Sequence, residues 1–79
     1  MFEIFRSSQF GKVSASHKFA SVAAAVDYID AQFDVIDMTF ESPDRVEVED
    51  VGKADFAVFF GKLAGSGFAP EVYTVEAVS

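Results

Sequence analysis

KADFAVFFGKLA, running from Lys53 to Ala64, is the stretch on which the fold turns. Within it Phe56, Phe59, Phe60 and Leu63 recur at offsets of three, four and seven, the spacing that gathers side chains on one stripe at about 3.6 residues per turn. Gly65 follows where a left-handed residue commonly ends a helix. The spacing predicts a helix over about 53–64. Downstream, Pro70 to Val78 carries Val72, Tyr73, Val75 and Val78, a strand with Pro70 fitting its first position.

Upstream, Ile36, Met38 and Phe40 alternate with Asp37, Thr39 and Glu41; past the turn Ser42-Pro43-Asp44, Val46 and Val48 alternate with Glu47 and Glu49. This predicts a hairpin with one apolar and one polar face. A three-residue loop would set Phe40 opposite Val46 and Asp37 opposite Glu49. Before it, Ser21 can cap a helix of about 21–34 whose Val22, Val26, Ile29 and Phe33 share a stripe. Phe2 to Ser7 and Lys12 to Phe19, separated by Gly11, read as a first hairpin. The order is ββαββαβ, and the economical arrangement is an α+β two-layer sandwich, a mostly antiparallel sheet with two helices on one face. No repeat or linker divides residues 1–79, so they read as a single compact domain.

At 79 residues an apolar core only just offsets an ordering cost of roughly 1.5 kcal/mol per residue. Ten Phe and a 51% hydrophobic content supply that core, and the absence of Cys excludes a disulfide framework or a thiolate metal site. No apolar run reaches the roughly 18–20 residues that span a bilayer. Met1-Phe2-Glu3-Ile4 lacks the basic start of a signal peptide, so a cytoplasmic protein is expected.

Residues that could carry catalysis are sparse, and a non-enzyme is expected. His17 is the single imidazole, and Ser14 and Ser16 lie on the opposite phase of its strand, so no local Ser and His pair forms. It reads as a core-margin residue sharing a face with Val13, Ala15 and Phe19. The spacing of Asp27, Asp30, Asp34 and Asp37 matches no calcium loop, which predicts no dedicated metal site. Gly61-Lys62 and Gly65-Ser66-Gly67 lack the phosphate-loop pattern and follow an expected helix instead of opening one. No cofactor is expected.

The charge is the informative feature. The net charge is -7, and nine acids between residues 27 and 50 face the single base Arg45, a local net of -8 against +1 for the remainder. On the first expected helix Asp27, Asp30 and Asp34 would fall within an arc of about 60°. Asp30 and Asp34 would repel at i,i+4 and sit near the disfavoured C-terminal end of the macrodipole. Asp37, Glu41, Glu47 and Glu49 extend the pattern along the hairpin. Charge set against local stability marks a candidate functional surface. Such a surface disfavours direct contact with nucleic acid or an anionic membrane and favours a basic protein partner.

In its length, its lack of catalytic motifs and its Asp27 to Asp50 block, the chain resembles the small acidic inhibitors of phages and mobile elements, notably anti-CRISPR proteins and nucleic-acid mimics. The resemblance implies a non-enzymatic, protein-binding inhibitor that occupies a basic nucleic-acid-binding site, such as that of a CRISPR effector complex. The expected partner-binding set is Asp27, Asp30, Asp34, Asp37, Glu41, Glu47 and Glu49. Two other classes remain open: an antitoxin or small regulatory subunit, and an accessory domain that oligomerises through a strand edge or a Phe surface while its acids merely solubilise it. Phe5, Phe10 and Phe68 lie off the core stripes and are candidate apolar contacts.

Overall fold

A computed structural model describes residues 1–78. Its elements are β1 (Phe2–Ser8), β2 (Gly11–Ser14), α1 (Val22–Gln32), β3 (Phe33–Glu41), β4 (Glu47–Val48), a 3-10 turn (Val51–Lys53), β5 (Phe56–Leu63) and β6 (Glu71–Ala77). All six strands form one sheet in the order β2-β1-β6-β5-β3-β4, and every neighbouring pair is antiparallel. The helix packs on one face of this sheet.

The expected ββαββαβ sandwich with two helices is therefore corrected: of the expected second helix, 53–64, the residues Phe56–Leu63 form a strand near the middle of the sheet. Its 3, 4, 7 spacing is compatible with a helix, but the same residues also alternate. Ala57, Phe59 and Gly61 point to the helix side and are buried, whereas Phe56, Val58 and Phe60 point away. An inner strand with apolar residues on both faces reads as a continuous apolar run. Val, Phe and Gly are mediocre or poor helix formers, and the first two favour strands. Ladders to β3 on one side and β6 on the other satisfy the backbone.

The position of Gly61 is specific to this arrangement. A Cβ there would run into the backbone carbonyl of Asp34 and lie 3.1 Å from the Cα of Val35. The contact falls where β3 shifts register between Val35 and Asp37. Glycine in a strand commonly marks such a bulge and close backbone approach.

The first helix forms as the sequence indicates, but is shorter. Ser21 accepts a hydrogen bond from the Ala24 N–H at 3.1 Å, satisfying one of the orphan donors at the N-terminus. The helix ends when the Phe33 backbone turns extended, its N–H still donating to the Ile29 carbonyl. Phe33 and Asp34 thus belong to β3, and the expected boundary at 34 moves back to Gln32. In the first hairpin β2 stops at Ser14, short of the expected Phe19. The chain nevertheless continues along β1: the Ala15 N–H donates to Ile4, and Phe2 and Phe19 exchange backbone hydrogen bonds at 2.8 and 2.7 Å.

Ile4, Phe19, Val22, Ala25, Ile29, Phe33, Ala57, Phe59, Tyr73 and Val75 make the core between helix and sheet. Phe59 stacks on Tyr73 with centroids 4.9 Å apart, and Phe33 meets both rings edge-on, geometries that aromatic pairs favour. Apart from the hydroxyl of Tyr73, the buried residues among those described are neither polar nor charged. No helix among them is long and apolar enough to cross a membrane.

Candidate functional site

With one helix in place of two, a single face of the sheet is covered and the other is open. Strand alternation and the ladder registers place Phe5, Val72, Thr74, Phe56, Val58 and Phe60 on the open face. One row crosses the sheet through Ser14, Phe5, Thr74, Val58 and Thr39; the next runs through Val72, Phe60 and Asp37. Phe60 is 40% exposed and Val72 45%. Side by side on inner strands, they form an apolar strip along the middle of the face. Reading residues 53–64 as a helix assigned Phe56 and Phe60 to the core. The alternation of Ala57, Phe59 and Gly61 against Phe56, Val58 and Phe60 is the signal that reveals them as surface.

On either side of this strip the acids behave differently. Toward β1 and β2 they are paired. Lys12 Nζ lies 2.6 Å from Glu76, the Thr74 hydroxyl donates to the same carboxylate at 2.6 Å, and the Ser14 hydroxyl donates to Glu3 at 2.8 Å. Burial pushes the Glu76 carboxyl up, but the hydrogen bonds from Lys12 and Thr74 and the charges of Lys12 and Arg45 outweigh it, leaving the group below the usual carboxylate range.

Toward β3 and β4 lie Asp34, Asp37, Glu41 and Glu47. None of these four takes part in an ion pair among the described residues, where the pairs are Arg6–Glu71, Lys12–Glu76 and Arg45–Asp55. Glu41 and Glu47 stand directly opposite each other in the ladder, a destabilising arrangement of like charges. The expected hairpin register is corrected here. Phe40 faces Val48, not Val46, and Glu49 lies past the strand with no ladder partner, so Asp37 does not face it. The Ser42 N–H donates to the Val46 carbonyl at 2.9 Å, so the turn is made by Pro43, Asp44 and Arg45, one residue later than expected, with Arg45 in a left-handed backbone (φ 62°). Arg45 then lies over the Phe56 ring at 5.1 Å.

The structure divides the expected contact set. Asp34, Asp37, Glu41 and Glu47 share the open face. Asp27 and Asp30 are exposed on α1, across the sheet from them, and Glu49 is exposed in the turn leading to Asp50. The three-residue row on the helix does not form, since Asp34 is in a strand opposite Lys62. Asp50 has a local structural role, accepting from the Gly52 N–H at 2.9 Å. His17 lies outside any strand, its ring 4.5 Å from Phe19 and 5.3 Å from Tyr28. Of the other candidate apolar contacts, Phe10 is exposed at the first hairpin turn and Phe68 in the connection before β6. Among the described residues no cluster of His, Cys, Asp and Glu is arranged to hold a metal ion.

Comparison of the chain with protein-family models, with curated proteins and with solved structures finds no significant match.

Proposed function

We propose that the chain is a non-enzymatic binding protein that docks the β3–β4 side of its open sheet face on a basic, nucleic-acid-binding protein, of the kind a CRISPR effector complex represents, and so obstructs access of nucleic acid. One observation carries this reading: four carboxylates without ion pairs among the described residues stand beside a half-exposed apolar strip. The acids steer a Lys- and Arg-rich surface toward the face. Charge density argues that they do not act alone. From Asp34 to Glu41, β3 covers roughly 20 Å at about 3.3 Å per residue and presents three carboxylates on this face. A DNA strand places about six phosphates over that length, at roughly 3.4 Å each. Affinity therefore draws on Phe56, Phe60 and Val72, as the aromatic centre of an interface does.

The test is retention of host proteins on the immobilised chain at low and high salt, with identification of what is retained. The expected outcome is a nucleic-acid-binding protein that is displaced by duplex DNA or RNA and is held at least tenfold more weakly by the variant Asp37→Asn/Glu41→Gln/Glu47→Gln. Equal retention by wild type and variant would overturn the role of the acids.

A further inference from the structure

On the covered side of the sheet, where α1 ends, the core opens into a cleft of about 440 Å³. This lies within the range of roughly 300–1,000 Å³ typical of small-molecule sites. Its apolar lining comes from Val13, Phe33, Leu63, Phe68 and Tyr73, and its charged residues are Arg6, Lys62 and Glu71. Two of the three charged residues along it are thus cationic, in a chain whose net charge is -7. The Lys62 ammonium is held by the Ser66 carbonyl at 3.2 Å. Arg6 meets Glu71 only loosely, at 3.7 Å with both side chains more than two-fifths exposed, so its guanidinium keeps donors to spare.

Tyr73 supplies the second polar element. The residue is only 6% exposed, yet its hydroxyl makes no hydrogen bond among the described residues. Nor is it sealed from solvent, because the buried side-chain atoms without a hydrogen-bond partner among the described residues are Asp55 Oδ1 and Ser66 Oγ. Tyr73 pairs with Arg6 across the β1–β6 ladder; burial and the charge of Glu71 push its phenol up, and Arg6 opposes them. At neutral pH it is protonated and able to donate. A buried aromatic ring whose donor opens into an apolar cleft beside a guanidinium matches a ligand with an apolar body and one anionic acceptor.

We infer that this cleft binds a small carboxylate amphiphile, its hydrocarbon portion against Phe33, Leu63 and Phe68 and its carboxylate accepting hydrogen bonds from the Tyr73 hydroxyl and the Arg6 guanidinium. The site lies across the sheet from the acidic face and does not depend on it.

Sodium decanoate below its micellar concentration is the probe, titrated into the intact protein and followed by calorimetry and backbone amide shifts. Expected is saturable 1:1 binding with shifts centred on Val13, Leu63, Phe68 and Tyr73. Tyr73→Phe and Arg6→Gln should each weaken it by about tenfold, the loss of a hydrogen bond to a charged group. Decan-1-ol should bind at least tenfold more weakly than decanoate, and decyltrimethylammonium more weakly still. Absence of saturable decanoate binding, shifts centred on Phe5, Phe60 and Val72, unchanged affinity in both folded variants, or equal binding of the ammonium amphiphile would each overturn the inference.

Discussion

Phe59 and Phe60 are neighbours in one strand and have opposite fates. Phe59 is wholly buried under α1, stacked on Tyr73, whereas Phe60 lies on the uncovered face beside Asp37. The covered face is stabilised by close packing among apolar groups, the Tyr73 hydroxyl being the one polar group of its buried residues among those described. The open face keeps a strip of half-exposed apolar residues and divides its acids into a hydrogen-bonded group and an unpaired one. An uncovered face of this kind does not add the stability that its apolar content suggests; that surface is available for contact with another molecule.

The contrast is tested most severely by truncating the two rings. Phe59→Ala should cost about 3–5 kcal/mol, a large part of the stability of so small a domain, while Phe60→Ala should cost about 1 kcal/mol or less. Urea denaturation of both variants checks this, and equal losses would mean that the two faces are not differently packed.

Gly61→Ala probes the same strand through the sign of its effect. In a helix the change would stabilise by about 1 kcal/mol. In β5 the added methyl meets the β3 backbone, and a loss of about 1–3 kcal/mol is expected in the same denaturation assay.

The paired acids respond to pH. The Glu76 carboxyl titrates below its ordinary 4.5 in the folded protein, so its stabilising effect is complete above that pH and is lost as pH falls through the lowered folded value. Glu76→Gln should therefore lower stability at pH 7 by about 1 kcal/mol or less, given that Lys12 is largely exposed. Melting temperatures of variant and wild type should converge as pH falls through that lowered value.

The smallest effect is expected for the unpaired acids. Glu47→Gln removes a like-charge pairing with Glu41 and should leave stability unchanged or raise it by a few tenths of a kcal/mol. A clear loss in thermal denaturation would show that this carboxylate makes a structural bond.

Much of this was legible in the sequence. Ser21 with the Val22, Val26, Ile29 and Phe33 stripe located α1, and alternation around Met38 and Phe40 located β3. The segregation of acids between 27 and 50 needed only counting. The register of the second hairpin was not legible, because it depends on the left-handed backbone at Arg45, an uncommon conformation that nothing in Ser42-Pro43-Asp44 demands. Nor was the cleft, whose lining comes from β1, β2, the start of β3, the end of β5, the start of β6 and the connection between those last two.

The sequence by itself determined a small, Phe-rich, acidic domain with one capped helix, two hairpins and a closing strand. Only the tertiary structure decided that Phe56 to Leu63 is a strand, that one face of the sheet stays open, and that Asp34, Asp37, Glu41 and Glu47 share that face while Asp27 and Asp30 do not. The physical reason is that local spacing fits both a helix and a strand for those eight residues. The choice lies with hydrogen bonds from β3 and β6, segments outside this stretch, and with the Gly61 contact that lets β3 approach.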